Sequence, residues 1–334
     1  MPRSIHHAVA LFTLSTMLMA LAGPWAQAAA PFVPGTGEFL ADCCDDFEDP
    51  FWSFKYNHPK SSSEQDERVR GPGAFSKNGL WHEGSLRGTP DLVQRVPTPP
   101  GGIEGSTGAL MFATKNSGIP GRPSNTQQQD DLLMLFDRRL GRKIPVAWQP
   151  SCTVRVHLPP FEQWENRTGP SFGMRADCVG RGSGRKMEPY WPGMFLLFNS
   201  ETSRNVEQDF AKLTVRAGQR GNDVRSHSIT EPGWWTMGMS FTPDGQIHYY
   251  ARQGVEDLSS DDFLMSSFPY GFRCTTFNNF FFNVANADNG RNWSTTWVID
   301  DPKIFVIPPQ GQTVAQLYRT KARPATATRN RAQR

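Results

Sequence analysis

Gln246, His248, Tyr250 and Arg252 alternate along one stretch, so in a β-strand they share a face. Tyr and His side chains exchange protons, and Arg, Asn and Gln bind carboxylates and hydroxyls. Arg175, Arg216 and Asn283 lie in other strand-like stretches and would join them if those strands are neighbours. Such a face could neutralise a carboxylate, remove the adjacent proton and assist a leaving oxygen, with His248, Tyr250 and Arg175 as the catalytic candidates. Arg216, Arg252, Asn283 and Gln246 would then hold the ligand. The competing reading is an ordinary solvent-facing sheet.

Aromatic side chains offer a second chemistry, since their faces stack on the apolar faces of pyranose rings. The chain has 10 Trp, and Trp191 and Trp234 lie in or beside loops rich in Gly, Pro and Asn, as do Trp164, Tyr190 and Trp293. Most Trp in a sandwich is core, which is the alternative for each.

These residues need strands to carry them, and the β signal is clear from Cys152 onward. Residues 153–158 alternate, and residues 171–178 place Phe172, Met174, Ala176 and Cys178 on one face with Arg175 and Asp177 on the other. Thr242-Pro243-Asp244-Gly245 marks a hairpin between two strands. Residues 53–130 read as long loops over an incomplete first sheet, and residues 130–136 as a strand or a short helix. Many short strands with turn punctuation predict an all-β, antiparallel two-sheet sandwich or barrel. The acidic-aromatic cluster Asp45-Asp46-Phe47-Glu48-Asp49 and the closing run 297–306 are expected to lie side by side.

The ends differ from the body. Arg3, the apolar run Ala8–Ala22 and Ala26-Gln27-Ala28 read as a secretory signal over residues 1–28. Residues 311–334 carry six basic residues and no acid, and read as a disordered tail. Without that tail and Arg3, the formal charge of +3 becomes −4 for a single domain over residues 29–310. A mildly acidic body argues against a nucleic-acid partner, and no later stretch is apolar enough to cross a bilayer. The expectation is a secreted monomer, extracellular or periplasmic. Five cysteines in an exported chain suggest disulfides, with Cys152–Cys178 and Cys274 to Cys43 or Cys44 as the guessed pairs.

The run 234–241, then Pro243-Asp244-Gly245, then 248–254, resembles the central hairpin of laminin-G-like jelly rolls. With the closing strand 299–305 it is similar to the concanavalin A-like lectin and glucanase superfamily. That resemblance covers residues 150–308 well and implies a jelly roll with a concave face open to ligand. It also implies a structural Ca²⁺ where first and last strands meet, for which Asp46, Glu48, Asp300 and Asp301 offer hard oxygen ligands. The superfamily hosts lectins, hydrolases, lyases and adhesion modules, so fold does not fix activity.

Two enzyme signatures are incomplete. Glu64-Gln65-Asp66 and Glu207-Gln208-Asp209 begin the Glu-x-Asp-x-x-Glu pattern of laminarinases but lack the final acid. Gln246-Ile247-His248 and Tyr250-Ala251-Arg252-Gln253-Gly254-Val255 resemble alginate-lyase motifs, yet sit on one strand, and the Arg-x-Glu-x-Arg partner is missing. The reading is an exported protein that binds an extracellular polysaccharide. A lyase for an acidic glycan is the runner-up, and an envelope adhesion or structural module the third possibility.

Overall fold

The computed structural model describes residues 29–63, 70–117, 127–184 and 186–318. The expected signal segment, residues 1–28, and the part of the expected tail beyond Tyr318 lie outside these residues. Strands follow one another as β1 (Glu38–Phe39), β2 (Phe54–Lys55), β3 (Phe75–Ser76), β4 (Trp81–Glu83), β5 (Leu92–Val96), β6 (Ala109–Ala113) and β7 (Gln128–Met134). A short helix, α1 (Phe136–Leu140), follows, then β8 (Ile144–Pro145), β9 (Ser151–Leu158), β10 (Gly169–Arg181), β11 (Met187–Tyr190) and β12 (Gly193–Asn199). The rest are β13 (Phe210–Arg216), β14 (Asp223–Ile229), β15 (Gly233–Phe241), β16 (Ile247–Gln253), β17 (Phe263–Ser267), β18 (Arg273–Asn286) and β19 (Trp297–Val306). The region 53–130 thus holds strands of both sheets, and residues 130–136 are the end of β7 running into α1.

The strands form two antiparallel sheets, as expected of a jelly-roll sandwich. The first runs β17-β16-β15-β9-β19-β6-β5, with β1 on β19; the second runs β14-β13-β12-β10-β18-β7-β4-β3-β2, with β11 on β10 and β8 on β18. Alternation decides what each buries. In β10, Phe172, Met174, Ala176 and Cys178 enter the core and Arg175 and Asp177 face outward. Aromatic rings join the layers: Phe172 to Trp297 (4.8 Å), Phe241 to Phe277 (4.8 Å) and Phe112 to Phe282 (6.0 Å).

The termini do meet, though through different residues. Glu38 and Phe39 pair with Val306 and Phe305, whereas residues 45–49 form no strand. Asp45 instead accepts from Trp52 Nε1 (2.9 Å), Trp81 Nε1 (2.7 Å) and Asn78 Nδ2 (2.7 Å). Leu317 is fully buried, so the packed body extends past residue 310. None of the five cysteines is disulfide-bonded, and the neighbour of Cys178 is Cys274, not only Cys152. Among the described residues no helix is long and apolar enough to cross a membrane.

Candidate functional site

The outward face of the second sheet is built from cross-strand rows. One row runs Leu133 (β7), Phe281 (β18), Arg175 (β10), Gly193 (β12) and Arg216 (β13). The next runs Asp131, Asn283, Gly173, Phe195 and Thr214, and beyond Arg175 on the other side Asp177 faces Asn279. Two positions in these rows must be glycine. A Cβ on Gly173 would stand 2.8 Å from the Phe195 ring, and one on Gly193 would stand 2.4 Å from Met174 O and 2.8 Å from Arg175 Cγ. Their bare backbones let Phe195 and Arg175 lie flat against the sheet.

Arg175 organises the face. Its Nη2 and Nε donate to Trp191 O at 2.8 and 3.3 Å, and Nη1 donates to Asn283 Oδ1 at 3.4 Å. Asn283 in turn donates through Nδ2 to Asp131. The guanidinium stacks between Phe195 (5.6 Å) and Phe281 (5.4 Å), while Arg216 covers Phe195 at 4.0 Å and pairs with Asp223 at 3.1 Å. Arg175 is only 6 % exposed, and desolvation lowers its pKa to about 10, which leaves it charged at neutral pH.

A cleft of about 230 Å³ opens on this face. Trp191, Phe281 and Leu133 supply its apolar walls, Asp131, Asp177 and Asn279 its polar groups, and the loop 84–86 its rim. Asp177 accepts from Asn279 Nδ2 (3.1 Å) and Asn278 Nδ2 (3.3 Å), and burial raises its pKa. Asn279 is 6 % exposed, and its Oδ1 has no hydrogen-bond partner among the described residues. A buried amide oxygen without a donor is costly, and a hydroxyl entering the cleft would satisfy it. His82 lies opposite Leu133 on the same face, with Nε2 2.9 Å from Gly79 O.

Arg175, Arg216, Asn283 and Trp191 are therefore brought together, but His248 and Tyr250 are not. Both sit on β16 in the first sheet, on its outward side, and that side is covered. Residues 29–36 cross it, held by Ser240 Oγ to Phe32 O (2.6 Å), Gly35 N to Ser151 Oγ (3.2 Å) and Ala29 N to Asp244 Oδ2 (3.1 Å). His248 is fully buried, with its ring nitrogens 2.9 Å from Thr242 Oγ1 and 2.6 Å from Ser266 Oγ. Desolvation lowers its pKa to about 4, so the ring is neutral and both nitrogens are engaged. Arg252 and Gln246 share that strand and its turn, and Arg252 pairs with Glu256 at 3.6 Å. Convergence in one groove fails because consecutive β9 and β10 enter different sheets, and the 242–245 hairpin follows β9.

The other aromatics also divide. Trp234 is buried on the first sheet, donating to Pro100 O at 3.2 Å, and Trp164 and Tyr190 belong to the core. Trp293 is exposed. Asp131, Asp177 and Asn279 join the cleft as well; Asp131 and Asn279 alternate with Leu133, Phe281 and Asn283, but they do so inside short apolar runs where period two is hard to read.

Of the four expected calcium ligands, two converge. Ser106 Oγ lies 2.8 Å from Asp300 Oδ2, 3.2 Å from Glu48 Oε1 and 3.3 Å from Gly108 O. Asp46 accepts from Glu48 N at 3.1 Å, and Asp301 pairs with Lys303 (2.6 Å) and Arg155 (3.2 Å). Among the described residues no group of three His, Cys, Asp or Glu is placed to hold a metal ion. The hard oxygens around Ser106 suit a cation in kind, with carbonyl and hydroxyl oxygens taking the place of further carboxylates. Burial, together with Asp301 and Glu48, raises Asp300 to about 7.

No protein-family model matches this chain, and no curated protein matches it. Solved structures similar to it include a carbohydrate esterase from the Shiga toxin-encoding bacteriophage phi24B, at 8 % identity and TM-score 0.38, covering 69 % of this chain and 91 % of that one. An endo-β-1,4-glucuronan lyase from the fungus Trichoderma reesei matches at 13 % identity and TM-score 0.31, covering 69 % and 98 %. Lectin II from Ulex europaeus matches at 10 % identity and TM-score 0.34, covering 65 % and 99 %. At these scores the likeness carries no weight for function.

Proposed function

We propose that this is an exported protein that binds an extracellular polysaccharide on the outward face of its second sheet. The observation that carries the reading is the cleft, which the aromatic side chains of Trp191 and Phe281 line beside the hydrogen-bonding groups of Asn279, Asp131 and Asp177. A sugar ring needs both: an apolar plane to stack on and acceptors for its hydroxyls. Arg175 serves as a positioning residue that fixes Trp191 through its carbonyl, and Arg216 and Asn283 extend the polar surface along the strands. The lyase reading needs His248 and Tyr250 open to a ligand, and their burial on β16 deprives it of that proton-transfer pair. Glu48 and Asp300 are proposed to hold a structural Ca²⁺ that joins the first and last segments of the sandwich.

Native-gel retardation against a panel of neutral and acidic polysaccharides tests the reading, read alongside absorbance from unsaturated uronate ends. Retardation without new absorbance supports a binder. New absorbance makes the protein a lyase with other catalytic residues, and retardation that Trp191→Ala leaves intact removes the cleft from the account.

A further inference from the structure

A second constellation, on the opposite side of β7 from the cleft, has groups arranged for covalent chemistry. Lys60, in the segment before β3, places Nζ 2.5 Å from Asp130 Oδ2, with the two side chains 3 % and 0 % exposed. The same Nζ lies 3.0 Å from Asp91 Oδ2, 3.2 Å from Thr114 Oγ1 and 2.5 Å from Asn116 O. Asp91 is held by Lys115 N (2.7 Å) and Asn116 N (2.9 Å), and Thr114 Oγ1 also donates to Asp130 Oδ2. Gly88 seals the group: a Cβ there would stand 2.4 Å from Asp130 Oδ1 and 2.9 Å from Lys60 Cδ.

We propose that Lys60 and Asp130 condense to an intramolecular isopeptide bond, with Asp91 as the proton carrier. In the step, the Lys60 nitrogen attacks Asp130 Cγ, a C–N bond forms and one Cγ–O bond breaks. Two of the three ammonium protons leave with that oxygen as one water, relayed through Asp91. An ammonium and a carboxylate become a neutral amide and water, so atoms and charge balance and no external reagent is needed.

Three features favour the step. Lys60 Nζ lies against both Asp130 and Asp91 in an enclosed site, where burying a charged pair is costly, and condensation removes such a pair. Fixed proximity replaces the entropy that makes amide formation slow between free reactants. Burial also raises the Asp130 carboxyl to about 6, toward the protonated form that loses hydroxide as water, while Thr114 hydrogen-bonds the same carboxyl. The bond would tie the segment before β3 to β7, independently of any ligand in the cleft.

The test is the mass of the purified, folded full chain after reduction and denaturation, followed by tryptic mapping. A mass one water below that of the processed chain is expected, with a branched peptide joining residues 56–68 to residues 116–138, because acylated Lys60 resists trypsin. Asp91→Asn should leave most chains unlinked with unchanged circular dichroism. A folded wild type whose Lys60 and Asp130 peptides are recovered separately overturns the proposal and leaves a buried ion pair. A fully linked Asp91→Asn protein overturns the role of Asp91.

Discussion

Arg175→Met removes the guanidinium while keeping much of the side-chain volume. Two acceptors, Trp191 O and Asn283 Oδ1, then lose a donor in a nearly closed site. Each such loss costs about 1–3 kcal/mol. The two cation–π contacts, at 5.4 and 5.6 Å, contribute about 0.5–1 kcal/mol each. Retained packing by Met offsets part of this, so the expected loss is about 2–5 kcal/mol, a large share of a domain's stability. Urea unfolding followed by tryptophan fluorescence measures it through the midpoint at constant slope. Arg175→Lys keeps the charge but cannot serve both acceptors in the guanidinium's planar fork, and should fall between wild type and Met. A loss below about 1 kcal/mol for Arg175→Met would refute the reasoning, because the acceptors must then be satisfied by something else.

Further outcomes follow from the same geometry. Gly193→Ala should cost about 1–3 kcal/mol by overpacking against Met174 O and Arg175, and should weaken glycan binding by displacing Arg175. Asp300 has its folded pKa raised from 3.8 to about 7, so its protonated form favours the fold below about pH 4 and that contribution is lost as pH rises through 7. At 1.36 kcal/mol per unit the loss is at most about 4 kcal/mol. In chelator, wild type should therefore lose stability over that window relative to Asp300→Asn, and added Ca²⁺ should restore it to wild type alone; parallel pH curves would contradict this. Tyr250→Phe should leave polysaccharide retardation unchanged, since Tyr250 lies on the other sheet.

Local alternation made much of the fold legible. The facing of Phe172 to Cys178 and the core side of β16 can be read from period two, because one face of each strand packs into the core, and the hairpin at 242–245 from its turn residues. Sheet membership cannot be read that way. His248 and Arg175 alternate as if they belonged together, yet which sheet a strand joins depends on crossings between layers, which leave no local pattern. Covering is equally non-local: residues 29–36 cross the outer side of the first sheet beside His248, where Phe32 O accepts from Ser240, the cross-strand neighbour of His248 and more than two hundred residues from Phe32 in sequence. The cleft residues Asp131 and Asn279 sit within apolar runs that the periodicity leaves ambiguous. Trp164 and Trp234 sit in loop-rich sequence, yet Trp164 packs into the core and Trp234 lies under the loop at Gly101–Gly102 on the outer side of the first sheet, where both ring nitrogens find backbone carbonyls.

Isothermal titration of an oligosaccharide of whichever polysaccharide retards the protein, into wild type, Trp191→Ala and Asn279→Ala, tests the binding face most directly. Loss of one stacking wall or of the buried amide should weaken affinity by about tenfold or more, about 1.4 kcal/mol, with the fold intact. Affinities within about twofold of wild type for both variants, under 0.5 kcal/mol, would place the ligand elsewhere on the molecule.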